Sequence, residues 1–417
     1  MDGTEKRTAP KKHKRQKKKA LDNWLAWLTL TLLIVCGVIG FKRTRVDLSQ
    51  FKKALWPPTV KMEALGYEST QVKDATGTLV GYTTTGTFNG FGGPLKVAVA
   101  VDTAGTIQNL AVVEHRETPS WYNRVIESNF LEGLRGKNYK DPLRLGQDVD
   151  AISGATYTTN ALTEATKEAT LKAAKEWIGK DITPYVTPRK IKIGLPEISL
   201  VALLLIATIG VYKIPKQHQN TMKWVLWILG AAFIGFTFNH PLTLVDVNKL
   251  LMGYWPDVYN QLYWYLLIFG IVLIFLTTGK NTYCKYVCPF GAVQECVGAV
   301  GGAKTMVSRK YNRLFNWTRR IVVLLAIMLA LVYRNPGMSS YEVYGTIFNL
   351  LGSNFELFFL SLVLVFALFI KRPWCNYLCP IPVIEHYARF VYKQVKTSIT
   401  SLKLPLTKKK VIHPTKS

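Results

Sequence analysis

The sequence predicts a multi-pass α-helical membrane protein with six transmembrane helices and one extracytoplasmic α+β domain. Three observations lead to this fold class. Hydrophobic residues make up 49% of the 417 residues, yet 53 Lys and Arg against 26 Asp and Glu give a formal net charge of +27. Apolar runs of roughly bilayer-spanning length alternate with polar connections. One polar stretch, residues 42–192, is long enough to form a domain of its own.

Six apolar runs carry the membrane prediction. They cover residues 21–41, 194–212, 223–239, 261–278, 319–334 and 354–370. The later runs are apolar around nearly their whole circumference, as lipid-embedded helices are. The first run is longer than the apolar part of a secretion signal, and no small-residue cleavage site follows it. We therefore expect it to be a retained anchor.

Basic residues lie on alternate sides of these runs. Nine occur in the first 20 residues, eight in the 279–320 connection and ten from Lys371 onward, whereas 241–260 has only Lys249 and 335–353 has none. The positive-inside rule then places both termini in the cytoplasm and the polar domain outside. Because the basic residues flank apolar runs and form no recognition face, we expect no nucleic-acid partner.

This orientation divides the chain into five parts. They are a basic tail (1–20), an anchor (21–41), the external domain (42–192), a five-helix membrane domain (193–380) and a second basic tail (381–417). The external domain contains alternating apolar segments at 96–101 and 107–113, which predict strands.

A short turn rich in hydroxyl groups opens a strong helix-forming stretch. Residues 159–177 are dominated by Ala, Glu, Lys and Leu, and Gly179 is a plausible stop. The turn contains Asp150, Ser153, Gly154, Ala155, Thr156 and Thr158. Because a helix N-terminus carries free N–H groups and partial positive charge, this turn could seat a phosphate. The alternative is that one threonine is an ordinary N-cap.

The pattern Asp-x-x-Ser-Gly-Ala-Thr resembles the acceptor motif of FMN-binding domains in membrane flavoproteins of the Nqr, Rnf and NosR type. Residues 90–102 resemble the Gly-rich strand entry of that domain, and residues 114–119 resemble its His-x-Glu-Thr-Pro turn. In these proteins a transferase links FMN through its phosphate to a threonine. The resemblance implies covalent FMN on Thr156, with Thr158 as the second candidate.

The same resemblance implies that Glu117 and Thr118 contribute to the flavin site. His115 and Glu117 could line the flavin by the same analogy, although a surface turn explains both nearly as well. The family usually has Gly after the proline of this turn, but here Ser120 follows it. The surroundings of the flavin ring are therefore expected to differ.

Four of the six cysteines form a repeat. Cys284 and Cys288, and again Cys375 and Cys379, are spaced as Cys-x-x-x-Cys-Pro directly after an apolar run. The two runs between the copies form an out-and-back pair that could bring the copies together. Four thiolates suit an iron–sulfur cluster or zinc, and the alternative is four reduced thiols without a ligand. A flavin in the same chain favours iron–sulfur.

Other reactive residues have weaker signals. We expect Cys36 and Cys296 to be inert packing residues. His240 could contact a quinone or haem, although a helix-end histidine before Pro241 is the simpler interpretation. Glu385 and His386 follow the second cysteine pair and could act on it from outside the ligand set, or face water.

Taken together, the anchor, the external FMN-type domain, the five further runs and the two cysteine pairs resemble the NosR/NirI family of membrane flavoproteins. The chain has no ferredoxin-type Cys-x-x-Cys run. In this respect it is similar to the PceC/RdhC branch, which accompanies reductive dehalogenases in organohalide respiration.

The resemblance implies electron transfer, from quinol or a cytoplasmic-side cluster, through FMN to an extracytoplasmic enzyme such as a dehalogenase. The cysteines and the flavin are expected on opposite sides of about 30 Å of hydrocarbon, so that a quinone or second cofactor must lie between them. The alternative function is a maturation or redox-sensing regulatory protein. An ion-pumping role is disfavoured because the runs contain almost no carboxylates.

Overall fold

A computed structural model describes residues 9–43, 51, 53–66, 68–176, 191, 193–210, 213–279, 281–304, 309–349 and 354–403. These residues form one long N-terminal helix, a sheet domain and then a helical part. The predicted helix stop at Gly179, residues 1–8 of the N-terminal tail and residues 404–417 of the C-terminal tail lie outside the described residues.

The sheet domain is built on five antiparallel strands that pair in chain order. The strands are β1 (Lys61–Ala64), β2 (Thr70–Lys73), β3 (Leu79–Asn89), β4 (Pro94–Asp102) and β5 (Ile107–Glu114). The two strands predicted from alternating apolar residues are therefore confirmed as β4 and β5. In β4, Val97 and Val99 join one buried cluster while Ala98 and Ala100 join another. Since successive side chains point to opposite faces, both faces of this sheet are covered.

The remaining described elements are mostly helical. The helices are α1 (Ala9–Arg43), α2 (Pro119–Glu127), α3 (Thr156–Glu176), α4 (Leu195–Leu205), α5 (Gln219–Gly230), α6 (Leu244–Met252), α7 (Leu262–Thr278), α8 (Pro289–Gly301), α9 (Arg309–Tyr333), α10 (Tyr344–Asn349), α11 (Asn354–Phe369), α12 (Pro373–Tyr377) and α13 (Ile381–Lys403). Turns of π-helix extend α4 over Ile206–Gly210 and α5 over Ala231–Thr237, and a third covers Tyr283–Val287.

Helix α3 packs its alanine face directly onto the sheet. Ala165 and Ala169 are fully buried there. At Gly86 in β3, an added Cβ would lie 2.0 Å from the Ala165 carbonyl oxygen. The Thr84 hydroxyl donates to the Ala169 carbonyl at 2.8 Å. This close contact fixes the start of α3, and with it the hydroxyl-rich turn, relative to the sheet.

Each of the six apolar runs is helical in the structure, but the six helices differ in length. Asn23–Arg43 and Tyr311–Tyr333 are long and apolar enough to cross a bilayer, with mean hydropathies of 2.2 and 1.7. Leu195–Gly210, Leu262–Thr278 and Asn354–Phe369 are apolar but shorter. The two candidate spans found among the described residues do not confirm six, so the six-span topology and the orientation of the termini stay predictions.

The two long apolar helices pack against each other. An added Cβ at Gly40 in α1 would lie 2.0 Å from the Leu331 carbonyl oxygen in α9. Cys36 is buried beside Val323 and Ile327 of the same helix. Its predicted role as a packing residue is therefore confirmed. Cys296, in contrast, is exposed on α8, so the prediction that it packs in a core is wrong.

The sheet domain rests on the helical part through its Gly-rich loop. The Gln261 amide donates to the Gly90 carbonyl at 3.3 Å, and the Lys249 ammonium donates to the Phe91 carbonyl at 2.9 Å. One position earlier, the Asn89 amide donates to the carbonyl of Trp255 at 3.0 Å. These bonds hold the face that carries the hydroxyl-rich turn against the start of α7.

Candidate functional site

The hydroxyl-rich turn leads directly into α3. Gly154 has φ +80°, a conformation that glycine adopts without strain, and an added Cβ would lie 3.1 Å from the Trp121 ring. Ser153 and Gly154 are exposed and Ala155 is buried. Thr156 is the first residue of the helix, one position later than an N-cap. Its backbone N–H is therefore one of the free donors of the first turn.

The two candidate threonines have different surroundings. Thr156 is exposed, whereas Thr158 is 2% exposed and its hydroxyl donates to Glu117 at 2.6 Å. A hydroxyl that is buried and already bonded to a carboxylate is a poor target for a transferase. Thr156 is thus the more accessible of the two hydroxyl groups.

Glu117 connects the three sequence motifs of the domain. It is 1% exposed; one carboxylate oxygen accepts from Thr158 and the other from the Gly92 N–H at 3.1 Å. An added Cβ at Gly90 would lie 2.2 Å from the same carboxylate, which explains why this loop is glycine. Burial raises the pKa of Glu117, and its hydrogen bonds and Lys249 oppose the rise.

A cavity of about 420 Å³ opens between the turn and the helical part. Seven of the eight predicted flavin-site residues line it: Glu117, Thr118, Ser153, Gly154, Ala155, Thr156 and Thr158. The eighth, Asp150, is exposed and is not part of the wall. The volume falls in the range of ligand pockets. A helix N-terminus, an accessible threonine and nearby aromatic rings give the cavity features that fit FMN.

The opposite wall of the cavity comes from the helical part, which the motif analysis did not include. It contains His240, Asp246, Lys249, Gln261, Tyr263, Trp264, Glu342 and Tyr344. The His240 ring lies 5.5 Å from that of Tyr157 and 5.3 Å from that of Tyr263. His240 therefore faces the candidate flavin site, a position that neither the quinone or haem contact nor the helix-end interpretation had predicted.

The position of Lys249 in the cavity wall could not be predicted from the sequence. It is 1% exposed, lies 3.3 Å from Asp246, and its ammonium sits 4.6 Å from the centre of the Phe91 ring. In the sequence it was only the single basic residue of a connection. A buried ammonium must be paired, and here it supplies positive charge at the wall of the cavity.

His115 does not line the cavity. Its ring stacks on Tyr122, with centroids 3.6 Å apart, and Nδ1 is buried without a hydrogen-bond partner in the described structure. Burial and the neighbouring Arg116 lower the pKa of His115. A structural role in the turn thus fits this residue better than contact with the flavin.

The two cysteine pairs converge in the helical part. All four are free thiols: Cys284, Cys288, Cys375 and Cys379. Gln294 ties the copies together, because its side chain donates to Cys375 Sγ at 3.3 Å and accepts from the Trp374 N–H at 3.0 Å. Among the residues described by the structure, no three His, Cys, Asp or Glu side chains are arranged as a metal site.

Each of the four sulfurs nevertheless has a polar group beside it. Asn281 donates to Cys284 Sγ at 3.2 Å, and the backbone N–H groups of Phe290 and Gly291 bond to Cys288. The Tyr344 hydroxyl lies 3.2 Å from Cys379 Sγ. Hydrogen bonds to sulfur are typical around iron–sulfur clusters. The donor set therefore fits such a cluster.

Burial raises the pKa of all four thiols, to about 12 for Cys288, and neighbouring cysteines add to the rise at Cys284, Cys288 and Cys379. Metal binding would displace these protons. Glu385 contacts the cysteine site indirectly. The Asn281 amide that donates to Cys284 Sγ also lies 3.4 Å from the Glu385 carboxylate. This contact supports the indirect role considered for Glu385.

The cavity that contains the acceptor turn extends to the four-cysteine site. Tyr344 lines the cavity, and its hydroxyl contacts Cys379. The Tyr341 hydroxyl donates to the Leu378 carbonyl at 3.1 Å, beside the second cysteine pair. The 335–353 connection and the cysteine segments, which were placed on opposite sides of the membrane, thus meet in the interior. One side chain separates the cavity from a cysteine sulfur.

Comparison with known proteins supports both candidate sites. Residues 90–170 match the FMN-binding domain, and residues 261–312 and 355–396 match the 4Fe-4S binding domain. These segments contain the acceptor motif and both cysteine pairs. A solved structure, NqrC of Shewanella oneidensis, is similar at 22% identity over 32% of this chain and 73% of that chain. Its TM-score of 0.24 is too low to indicate a shared fold.

Three proteins are similar in sequence to parts of this chain. Protein NirI of Paracoccus denitrificans is 27% identical over 207 residues, which are 45% of this chain and 30% of NirI. Regulatory protein NosR of Stutzerimonas stutzeri is 25% identical over 183 residues, 40% of this chain and 25% of NosR. A component of the ion-translocating oxidoreductase complex of Cereibacter sphaeroides is 34% identical over 82 residues, 18% of this chain and 37% of that component.

The matched regions thus span less than two fifths of the length of each of these relatives. This chain is therefore similar to parts of NirI and NosR and combines an FMN-binding segment with two 4Fe-4S binding segments.

Proposed function

We propose that this chain is a membrane flavoprotein that transfers electrons from quinol to an extracytoplasmic redox enzyme, through FMN attached to Thr156. The observation that carries the proposal is the shared cavity. One wall holds the acceptor motif, and the other contains Tyr344, which contacts Cys379. A flavin site and a four-cysteine site are thereby joined within one fold.

FMN, when bound, accepts and releases electrons one or two at a time and so can couple a two-electron quinol to a one-electron partner. The residues of this chain supply the binding and the electrostatics. Thr156 accepts the phosphate link at the N-terminus of α3, and Glu117 holds Thr158 and the Gly-rich loop in place. Lys249 and His240 face the same space from the helical part.

The proposed site set comprises the flavin residues Asp150, Ser153, Gly154, Ala155, Thr156, Thr158, Glu117 and Thr118, with Cys284, Cys288, Cys375 and Cys379 as cluster ligands. The proposed partners are the membrane, the quinone pool, an FMN transferase and an external enzyme, of which a reductive dehalogenase is the candidate offered by the PceC/RdhC resemblance. Six spans, cytoplasmic termini and an external FMN domain complete the proposal.

The first test is the mass of the intact protein made in a host that expresses the FMN transferase. We expect an FMN-sized addition in wild type and in Thr158→Val, and none in Thr156→Val. A transferase shown to be active on another substrate is the control. Absence of the addition from wild type would remove the central cofactor of the proposal.

Flavin reduction by quinol then separates electron transfer from the regulatory alternative. Rapid bleaching of the flavin absorbance on mixing with a water-soluble quinol is expected of an electron-transfer protein. A flavin that stays oxidised, in protein with intact cluster signals, would favour the maturation or redox-sensing function.

A further inference from the structure

The hydroxyl of Tyr344 lies between the cavity and the four-cysteine site. The side chain is 3% exposed and lines the cavity at the start of α10. Its oxygen lies 2.8 Å from Trp374 Nε1 and 3.2 Å from Cys379 Sγ. Trp374 is fully buried and immediately precedes the second cysteine pair. Three side chains thus form a continuous hydrogen-bonded chain.

The direction of these hydrogen bonds follows from the groups themselves. An indole N–H can only donate, so the Tyr344 oxygen accepts from Trp374. A phenol has one proton, and its remaining bond in this site is to sulfur. A metal-bound cysteine sulfur carries no proton and can only accept, so with a cluster at the four cysteines Tyr344 is the donor to Cys379.

A hydrogen bond to a ligand sulfur has a defined effect on an iron–sulfur cluster. Reduction adds negative charge, and a donor at the sulfur stabilises that charge, which raises the reduction potential. Because the ring of Tyr344 also forms part of the cavity wall, a ligand that shifts this ring changes the O···S distance.

We propose that Tyr344 is a positioning residue that couples the two sites: its hydroxyl sets the reduction potential of a cluster held by Cys379, and its ring makes that potential depend on occupancy of the cavity. This inference rests on the proposed function, because it requires a cluster at the four cysteines. By linkage, the dependence is reciprocal between the two sites.

The chain provides a matched control in Tyr341. Its hydroxyl donates to the Leu378 carbonyl at 3.1 Å, and its ring lies 6.1 Å from that of Trp374. It is thus a half-buried tyrosine on the same connection, bonded to the same motif. Its hydroxyl, however, bonds to backbone and it is not part of the cavity wall. Removal of either hydroxyl leaves the aromatic ring in place.

The experiment compares full-length wild type, Tyr344→Phe and Tyr341→Phe, purified without exposure to oxygen. Iron and sulfide analysis first establishes the cluster, and redox titration followed by electron paramagnetic resonance gives its potential. We expect Tyr344→Phe to destabilise the reduced cluster about tenfold, a fall of about 59 mV for one electron. Tyr341→Phe should leave the potential at the wild-type value.

The coupling is tested in the Thr156→Val background, which lacks covalent FMN under the proposal. Loss of FMN should shift the cluster potential when Tyr344 is present and leave it unchanged when Phe replaces it. Equal potentials in wild type and Tyr344→Phe, with full iron content in both, would overturn the inference and leave the proposed function intact. Wild type without iron and sulfide would overturn both.

Discussion

Replacement of Glu117 by Ala and by Gln tests whether this buried carboxylate organises the flavin motif. Its two oxygens accept separately from the Thr158 hydroxyl at 2.6 Å and the Gly92 N–H at 3.1 Å. Ala leaves both donors without a partner. A Gln amide keeps both contacts, because its oxygen can accept from Gly92 while its NH₂ donates to the hydroxyl.

The magnitudes follow from these contacts. A buried donor without a partner costs about 1–3 kcal/mol. Two such donors beside a cavity that can admit water place Glu117→Ala at about 2–4 kcal/mol of lost stability. We expect Glu117→Gln to stay within about 1 kcal/mol of wild type, because a conservative polar replacement at a satisfied site has a small effect.

Burial also gives Glu117 a pH dependence of known sign. Its folded-state pKa is raised above 4.5, so the folded protein holds the proton more tightly than the unfolded chain. Stability therefore falls as pH rises from about 4.5 to the folded-state pKa. Wild type should be most stable relative to Glu117→Gln at and below pH 4.5 and should lose that advantage as the pH rises through the folded-state pKa.

Thermal unfolding of the full-length protein in detergent, followed by circular dichroism, measures these differences. Glu127→Ala is the matched control, because Glu127 is an exposed carboxylate on the neighbouring helix α2. The assigned role would be refuted if Glu117→Ala and Glu127→Ala unfolded at the same temperature. It would also be refuted if Gln were as destabilising as Ala.

Three further changes have defined outcomes. Lys249→Met leaves the buried carboxylate of Asp246 without its ionic partner and should cost about 3 kcal/mol of stability. The loss should appear as faster proteolytic release of the sheet domain, and an unchanged rate of release would contradict the docking role of Lys249. Gly86→Ala puts a Cβ 2.0 Å from a backbone oxygen of α3 and should lower the melting temperature, whereas Gly66→Ala, in open space, should not. Cys379→Ser should reduce the iron content, with Cys296→Ser as the control, and equal iron in both would argue against the assigned ligand.

The local elements of this protein follow from its sequence. Alternation of apolar residues predicted strands over 96–101 and 107–113, and the observed β4 and β5 contain them. The helix-forming stretch after the hydroxyl-rich turn became α3, and each apolar run became a helix. These signals are local, because side-chain periodicity and helix propensity depend on residues a few positions apart.

Tertiary structure decided how the chemical groups meet. Burial and the contact with Glu117 distinguish Thr158 from the accessible Thr156, and Glu117 and Thr158 are 41 positions apart. Tyr344 meets Cys379 across 35 positions, within a connection that the charge pattern placed outside the membrane. The positive-inside rule assigns a side to each connection but carries no information about how deeply it enters the fold. That depth is set by long-range packing, which brought the cavity and the four-cysteine site together.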